Sequence, residues 1–218
     1  MSPIEPASGM ASGGAPMFPL GSVLFPHMAL PLRVFEPRYR RLVADCVAGE
    51  GEFGVVLIER GSEVGGGDAR FDVGAVARIV GLQELGDGTI GVVAVGLRRV
   101  VVEAWSAAPT DPATYPSAQL RDWPDPDVVP ADRLERTVAR LRTLLARAAE
   151  AGDSVVAATV ELSPDPEIAL WQACSIAPVG SIDDLALLRS PTAAARVELL
   201  DRLIDDAGVL VSHRLTGT

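Results

Sequence analysis

The chain changes its hydrophobic period once, and that change limits the architectures open to it. Residues 17 to about 124 carry short apolar runs and alternating stretches punctuated by glycine and proline, whereas apolar residues recur every three or four positions from Pro130 onward. A two-residue period belongs to strands and a 3.6-residue period to helices, so strands come first and helices follow. With a Pro/Asp-rich bridge at residues 122–130, the order predicts an α+β chain, a small β-barrel and then a helical bundle. The expected divisions are residues 17–125 for a barrel subdomain with one helix and 126–218 for the bundle. Residues 1–16, rich in Ser, Gly, Pro and Ala, lack periodicity and are expected to form a disordered leader. Met10 and Met17 are both candidate translation starts.

Within the first part, Phe18, Leu20, Val23, Leu24 and Phe25 read as one apolar strand and residues 53–58 (FGVVLI) as a second. Between them, Tyr39, Leu42, Val43 and Cys46 lie on one face of a helix over residues 36–47, started by Pro37 and stopped near Gly49. Residues 75–85 and 89–104 form two long strands joined by Gly86-Asp87-Gly88, residues 115–123 close the sheet, and residues 60–72 are a mobile loop. In the second part, Asp132 with Glu135 marks a capping box. Leu134, Val138, Leu141, Leu145 and Ala148 form a stripe ending at Gly152. Ser163-Pro164 and Ser190-Pro191 predict two more helix starts, and Val197, Leu200, Leu203 and Ile204 line a last helix ended by Gly208.

Composition removes several chemistries. All 19 basic residues are arginine, and neither lysine nor asparagine occurs. A phosphate-binding loop lysine, a Ser-Lys dyad, a Schiff base and an N-glycosylation sequon are therefore excluded. The net charge is -10, with 10 Arg against 14 acids over residues 17–125 and 9 against 14 over 126–218. Neither part is basic, so nucleic acid is not an expected partner. No cationic start precedes an apolar signal core and no apolar run reaches the ~20 residues of a membrane span, so a cytoplasmic protein without membrane contact is expected.

Cys46 and Cys174 read as buried small hydrophobes of a reducing compartment; with His27 and His213 they are too scattered for a metal site. Residues 86–91 match G-x-G-x-x-G, but β-branched sequence follows where the dinucleotide motif needs a helix, so a hairpin is expected. Asp183-Asp184 and Asp205-Asp206 read as solvated acids, and Arg38, Arg40 and Arg41 as a solvated helix face. Arg98 and Arg99 point to opposite sides of a strand and cannot form one anion clamp. No catalytic residue and no cofactor are predicted.

Residues 17–41, MFPLGSVLFPHMALPLRVFEPRYRR, hold three phenylalanines, a tyrosine and four prolines. Rigid apolar material of this kind presents a ridge to extended polypeptide, with Phe25, His27, Met28, Phe35 and Tyr39 as candidate contacts; the same rings would also serve as core.

FPLGSVLFP, then LPLRVFEPRYRRLVADC, FGVVLIERGSEVGG, VGAVARIVGLQELGDGTIGVVAVGLRRVVV and a helical tail closely resemble, in that order, the Lon protease N-terminal domain, in particular its stand-alone bacterial relatives. The resemblance spans residues 17 to about 210. It implies a PUA-like pseudo-β-barrel joined to a helical bundle, as in the protease's substrate-recognition domain and the related region of cereblon. It also implies a non-catalytic module that binds unfolded or extended polypeptides, an adaptor in protein quality control working with a protease or chaperone. His27 stands where relatives usually carry glycine; if the turn there needs positive φ, histidine adopts it at some strain, though better than a β-branched residue would. The alternatives are an RNA-binding PUA-like module and a small-molecule site between barrel and bundle.

Overall fold

The sheet closes on itself through one long strand. A computed structural model describes residues 14–60, 69–107, 111 and 114–216. The strands are β1 (Ala15–Leu20), β2 (Ala29–Val34), β3 (Glu52–Arg60), β4 (Ala69–Glu84), β5 (Ile90–Trp105) and β6 (Ser117–Asp122). The helices are α1 (Pro37–Ala48), α2 (Ala131–Glu150), α3 (Pro166–Ile176), α4 (Ser181–Leu188) and α5 (Ala193–Thr216). β4 lines one side of β5, while the other side carries β2 along residues 90–95 and β6 along 100–105. β6 also pairs with β1, which runs parallel to β3, so β5-β4-β3-β1-β6 forms a ring and β2 extends from it. The fold is the α+β arrangement expected, a barrel followed by helices.

Several boundaries differ from the sequence reading. Ala15 and Pro16, assigned to the leader, pair with Ala118 and Ser117, while residues 1–13 and most of the expected 60–72 loop lie outside the described residues. Val23, Leu24 and Phe25 follow β1 in the connection to β2, because their side chains enter two different cores rather than one pleated face. The Gly86-Asp87-Gly88 hairpin is present, with φ of 77°, 49° and 79° and the Thr89 amide donating to the Gly86 carbonyl. His27 has φ 65°, so the turn does take the left-handed conformation at this position. Its amide donates to the Gly96 carbonyl at 2.7 Å, and a Cβ on Gly96 would collide with the Phe25 carbonyl oxygen. The turn is thus pressed onto β5.

Helix ends depart from the expected caps. α2 starts after Pro130 without a side-chain cap, and Asp132 instead accepts from Arg136 one turn on. α3 is capped by Asp165, two residues past the expected Ser163, because Pro166 rather than Pro164 occupies its first turn. The first amides of α5 donate to Asp127 and to Thr192, not to Ser190. α5 also runs through Gly208 to Thr216; the ~1 kcal/mol cost of a helical glycine is met by packing of Ile204 and Val211.

Inside the barrel, Phe18, Val34, Phe53, Val55, Val92 and Ala94 form a core that α1 covers with Tyr39, Leu42, Val43 and Cys46. A second core joins α2, α3, α4 and α5, and Phe25 and Val73 from the barrel side belong to it. The two layers are clasped by a buried cluster. Asp125, on the bridge, accepts two bonds from Arg196 of α5 at 2.6 and 2.9 Å and one from Arg99 of β5 at 2.9 Å. The remaining guanidinium donors go to the carbonyls of Leu187, Leu188 and Ser190, where α4 ends, and of Trp123. Arg196 lies 3.6 Å over the Trp171 ring and Arg99 lies 4.2 Å over Trp123. Arg98 points the other way, to Glu52 and Asp122, as strand alternation requires.

Two outcomes follow for stability. Asp125→Ala leaves two buried guanidiniums without their carboxylate and is expected to cost about 3–5 kcal/mol in chemical denaturation. Because a non-glycine residue in the left-handed region is strained by about 1–2 kcal/mol, His27→Gly is expected to hold or raise the thermal midpoint, whereas β-branched His27→Val lowers it.

Candidate functional site

The five candidate residues separate once folded. Phe25 is buried against Trp171, ring centroids 5.8 Å apart, and Tyr39 is buried beneath Phe18 in a stack at 4.0 Å. Neither ring reaches the surface, which corrects their assignment to an exposed ridge; large aromatic groups next to two forming cores gain more by burial than by exposure. His27 is exposed and Met28 half-buried, its Sδ accepting from Ser175 Oγ at 3.5 Å. Phe35 is 57% exposed. His27 and Met28 immediately precede β2 and Phe35 immediately follows it, so the three bracket a strand that spans about 20 Å at ~3.3 Å per residue.

β2 was not foreseen in the sequence, because Pro31 stands in its middle and its outward row of Ala29, Pro31 and Arg33 holds no β-branched residue, although its residues do alternate in burial. Its pairing explains the surface around it. Residues opposite one another in a sheet share a face, and Pro31 pairs with Val93, which pairs on its other side with Gly81. Val93 is 45% exposed and Val80, at the bulge beside Gly81, is 61% exposed. The Leu85 side chain lies where a Cβ on Gly91 would point, one step along the same outer face. Pro31, Val80, Leu85 and Val93 thus form an apolar outer face between the ends marked by Met28 and Phe35. The signal that could have found it was the glycine at position 81, which leaves Val93 uncovered.

The chemistry available elsewhere is limited. Burial pushes the Cys46 thiol up to about 11 and the Cys174 thiol up to about 12, so both stay protonated near neutral pH. Both are in core positions, as their helical faces predict. Among the described residues no group of His, Cys, Asp and Glu could hold a metal ion. A cleft of about 180 Å³ between barrel and bundle is lined by His27, Arg99, Trp123 and Trp171. Arg99 directs its donors there to carbonyls and Asp125, serving the clasp. Among the described residues no helix is long and apolar enough to cross a membrane.

The model of the ATP-dependent protease La (LON) substrate-binding domain family matches residues 14–206. The chain belongs to this family. Similar Lon domains have been solved. The Lon N-terminal domain protein from Xanthomonas campestris is 25% identical with a TM-score of 0.60, covering 86% of this chain and 96% of that one. The N-terminal domain of Mycobacterium avium complex Lon protease has a TM-score of 0.61 at 17% identity, covering 88% and 98%. Among curated proteins, the Lon protease of Anaeromyxobacter dehalogenans is 33% identical over 150 residues, 67% of this chain. That of Azorhizobium caulinodans is 33% identical over 127 residues, 56% of this chain. The chain spans only 17% and 14% of the lengths of those two Lon proteases.

Asp184 departs from the solvated reading of its acid pair. Burial, with Asp183 beside it, pushes its carboxyl up to about 7. An acid with a raised folded-state pKa stabilises the fold fully below its unfolded value near 4, and that contribution is lost as pH rises towards 7. Asp184→Asn is therefore expected to raise stability at pH 8 by about 1 kcal/mol, discounted for solvent screening at this part-exposed site. Melts at pH 8 and pH 4 check it, since the gain should vanish at the lower pH.

Proposed function

We propose that this chain is a non-catalytic module that binds unfolded or extended polypeptide, an adaptor that presents such chains to a protease or chaperone in the cytoplasm. The carrying observation is the apolar outer face of β2, β5 and β4, exposed on a protein of the Lon substrate-binding domain family. Isolated exposed apolar residues need no explanation, but several on one continuous face do. Phe35, Met28 and His27 form the ends of this surface. Phe25 and Tyr39 support it from within, one fixing the turn before β2 and the other the helix after it.

The surface is shallow, and an unfolded chain loses conformational freedom when it docks, so affinity in the micromolar range is expected. Selectivity rests on apolar content, because Pro31, Val80, Leu85 and Val93 offer apolar contact on this face. The thiols at Cys46 and Cys174 take no part, being inside the cores.

A fluorescein-labelled small protein, reduced and carboxymethylated so that it stays unfolded, tests this by anisotropy titration. Val93→Asp and Phe35→Ser are expected to weaken binding at least fivefold while leaving the thermal midpoint within a few degrees, as befits exposed positions. Undiminished binding by both variants would remove this face from the account, and no binding by the parent protein would remove the function.

A further inference from the structure

We infer that the open edge of β2 captures extended polypeptide by adding it to the sheet as a further strand; this rests on the polypeptide-binding reading above and supplies its mode. The argument starts from backbone parity. The Gly96 amide donates to the Met28 carbonyl at 2.9 Å, while the Met28 amide closes the turn onto the Phe25 carbonyl, so the Met28 carbonyl faces β5 and sets the parity of the strand that follows. In a regular strand main-chain groups alternate sides, so those of Leu30, Leu32 and Val34 face β5 and those of Ala29, Pro31 and Arg33 face away. Pro31 fits this parity, since a residue without an N–H can sit in a paired strand only where that position points off the sheet.

β2 is the outermost strand, bonded to β5 alone. Among the described residues the outward groups of Ala29, Pro31 and Arg33 have no backbone partner, and all three residues are exposed. The edge therefore offers two donors, at Ala29 and Arg33, and three acceptors. An incoming strand of matching parity would place alternate side chains on the outer face beside Pro31 and Val93, and the others beside the half-buried Leu30 and Leu32. Apolar side chains suit both rows. Arg33 carries the charge on this edge, which favours neutral or acidic segments and disfavours basic ones. The occupant is thus an extended, proline-poor polypeptide segment with apolar side chains and little positive charge.

Proline and charge on an edge strand also deter uncontrolled pairing. Here the gap at Pro31 removes one donor from the middle of the edge and leaves a pair at each end. That geometry weakens each encounter without abolishing it, as transient capture requires.

The test uses a fluorescein-labelled ten-residue peptide of alternating valine and threonine, and the same peptide with every amide of its six central residues N-methylated. Strand addition predicts that N-methylation weakens binding at least tenfold. On the protein side, Arg33→Pro removes an outward N–H without touching the ladder to β5. Arg33→Ala retains that N–H and gives the effect of losing the side chain alone; Arg33→Pro is expected to bind at least fivefold more weakly than Arg33→Ala. Pro31→Ala adds a donor and should tighten binding about threefold or more.

Equal binding of the two peptides, or of the two Arg33 variants, overturns strand addition. If the unfolded protein still binds in a manner sensitive to Val93→Asp, the polypeptide-binding reading survives that result. Failure of every polypeptide to bind overturns both. A wild-type dimer in sedimentation that Arg33→Pro dissolves also overturns this inference, because the edge would then belong to a second copy of the chain. Should Arg33→Pro fail to fold, the methylated peptide and Pro31→Ala decide the matter alone.

Discussion

Two guanidinium groups and one carboxylate hold the barrel and the helices in a single arrangement. Arg99 comes from β5, Asp125 from the bridge and Arg196 from α5, so three distant stretches of chain meet at one point. The cluster carries a net positive charge in a buried place, where an isolated ion would be expelled or neutralised. The carbonyls where α4 ends supply what Asp125 does not. A helix C-terminus is the negative end of its dipole, so the same contacts close α4 and compensate the extra charge. Burial and the neighbouring charge of Arg196 push the Arg99 guanidinium down to about 10, which still leaves it protonated at neutral pH. The charge that holds the clasp is therefore present under ordinary conditions.

With the clasp fixed, the helical layer bears on the turn before β2. Phe25 sits in the helical core against Trp171, Met28 touches both cores, and His27 bonds back to Gly96. α2 and α5 are tied along their length, with Arg133 and Arg140 converging on Asp201 and Arg214 reaching Asp153. These exposed and half-exposed pairs add register more than energy. The surface that faces solvent on β2 and β5 is thus mounted on a turn anchored from inside.

The architecture was readable where period and punctuation agree. α1 follows from Tyr39, Leu42, Val43 and Cys46 at helical spacing, and the β4–β5 hairpin from an Asp-Gly pair between two long β-branched runs. The resemblance marked position 27 as one where relatives carry glycine, while the left-handed backbone there is tied to the His27–Gly96 contact with β5. β2 was not legible, since Pro31 in its middle masks a six-residue strand whose alternation shows only once it is paired with β5. Helix starts were misplaced by one or two residues because several prolines and capping side chains compete nearby, and tertiary contacts choose among them; Asp127 caps α5 from 66 residues away. The clasp was invisible for the same reason, as nothing local distinguishes Asp125 or Arg196 from other charged residues. Candidate binding residues were half legible. Aromatic content marked the right segment, but which rings turn inward depends on two cores that the segment itself helps to build.

Pro31 also guards the alignment of the barrel. If β2 slid by a single position along β5, the ring nitrogen would swing inward, the ladder would lose a donor, and Val34 would rotate from the interior into water. Such a slip is penalised twice over, so the strand with the open outer margin resists shifting, and it keeps a constant template for whatever comes to lie beside it.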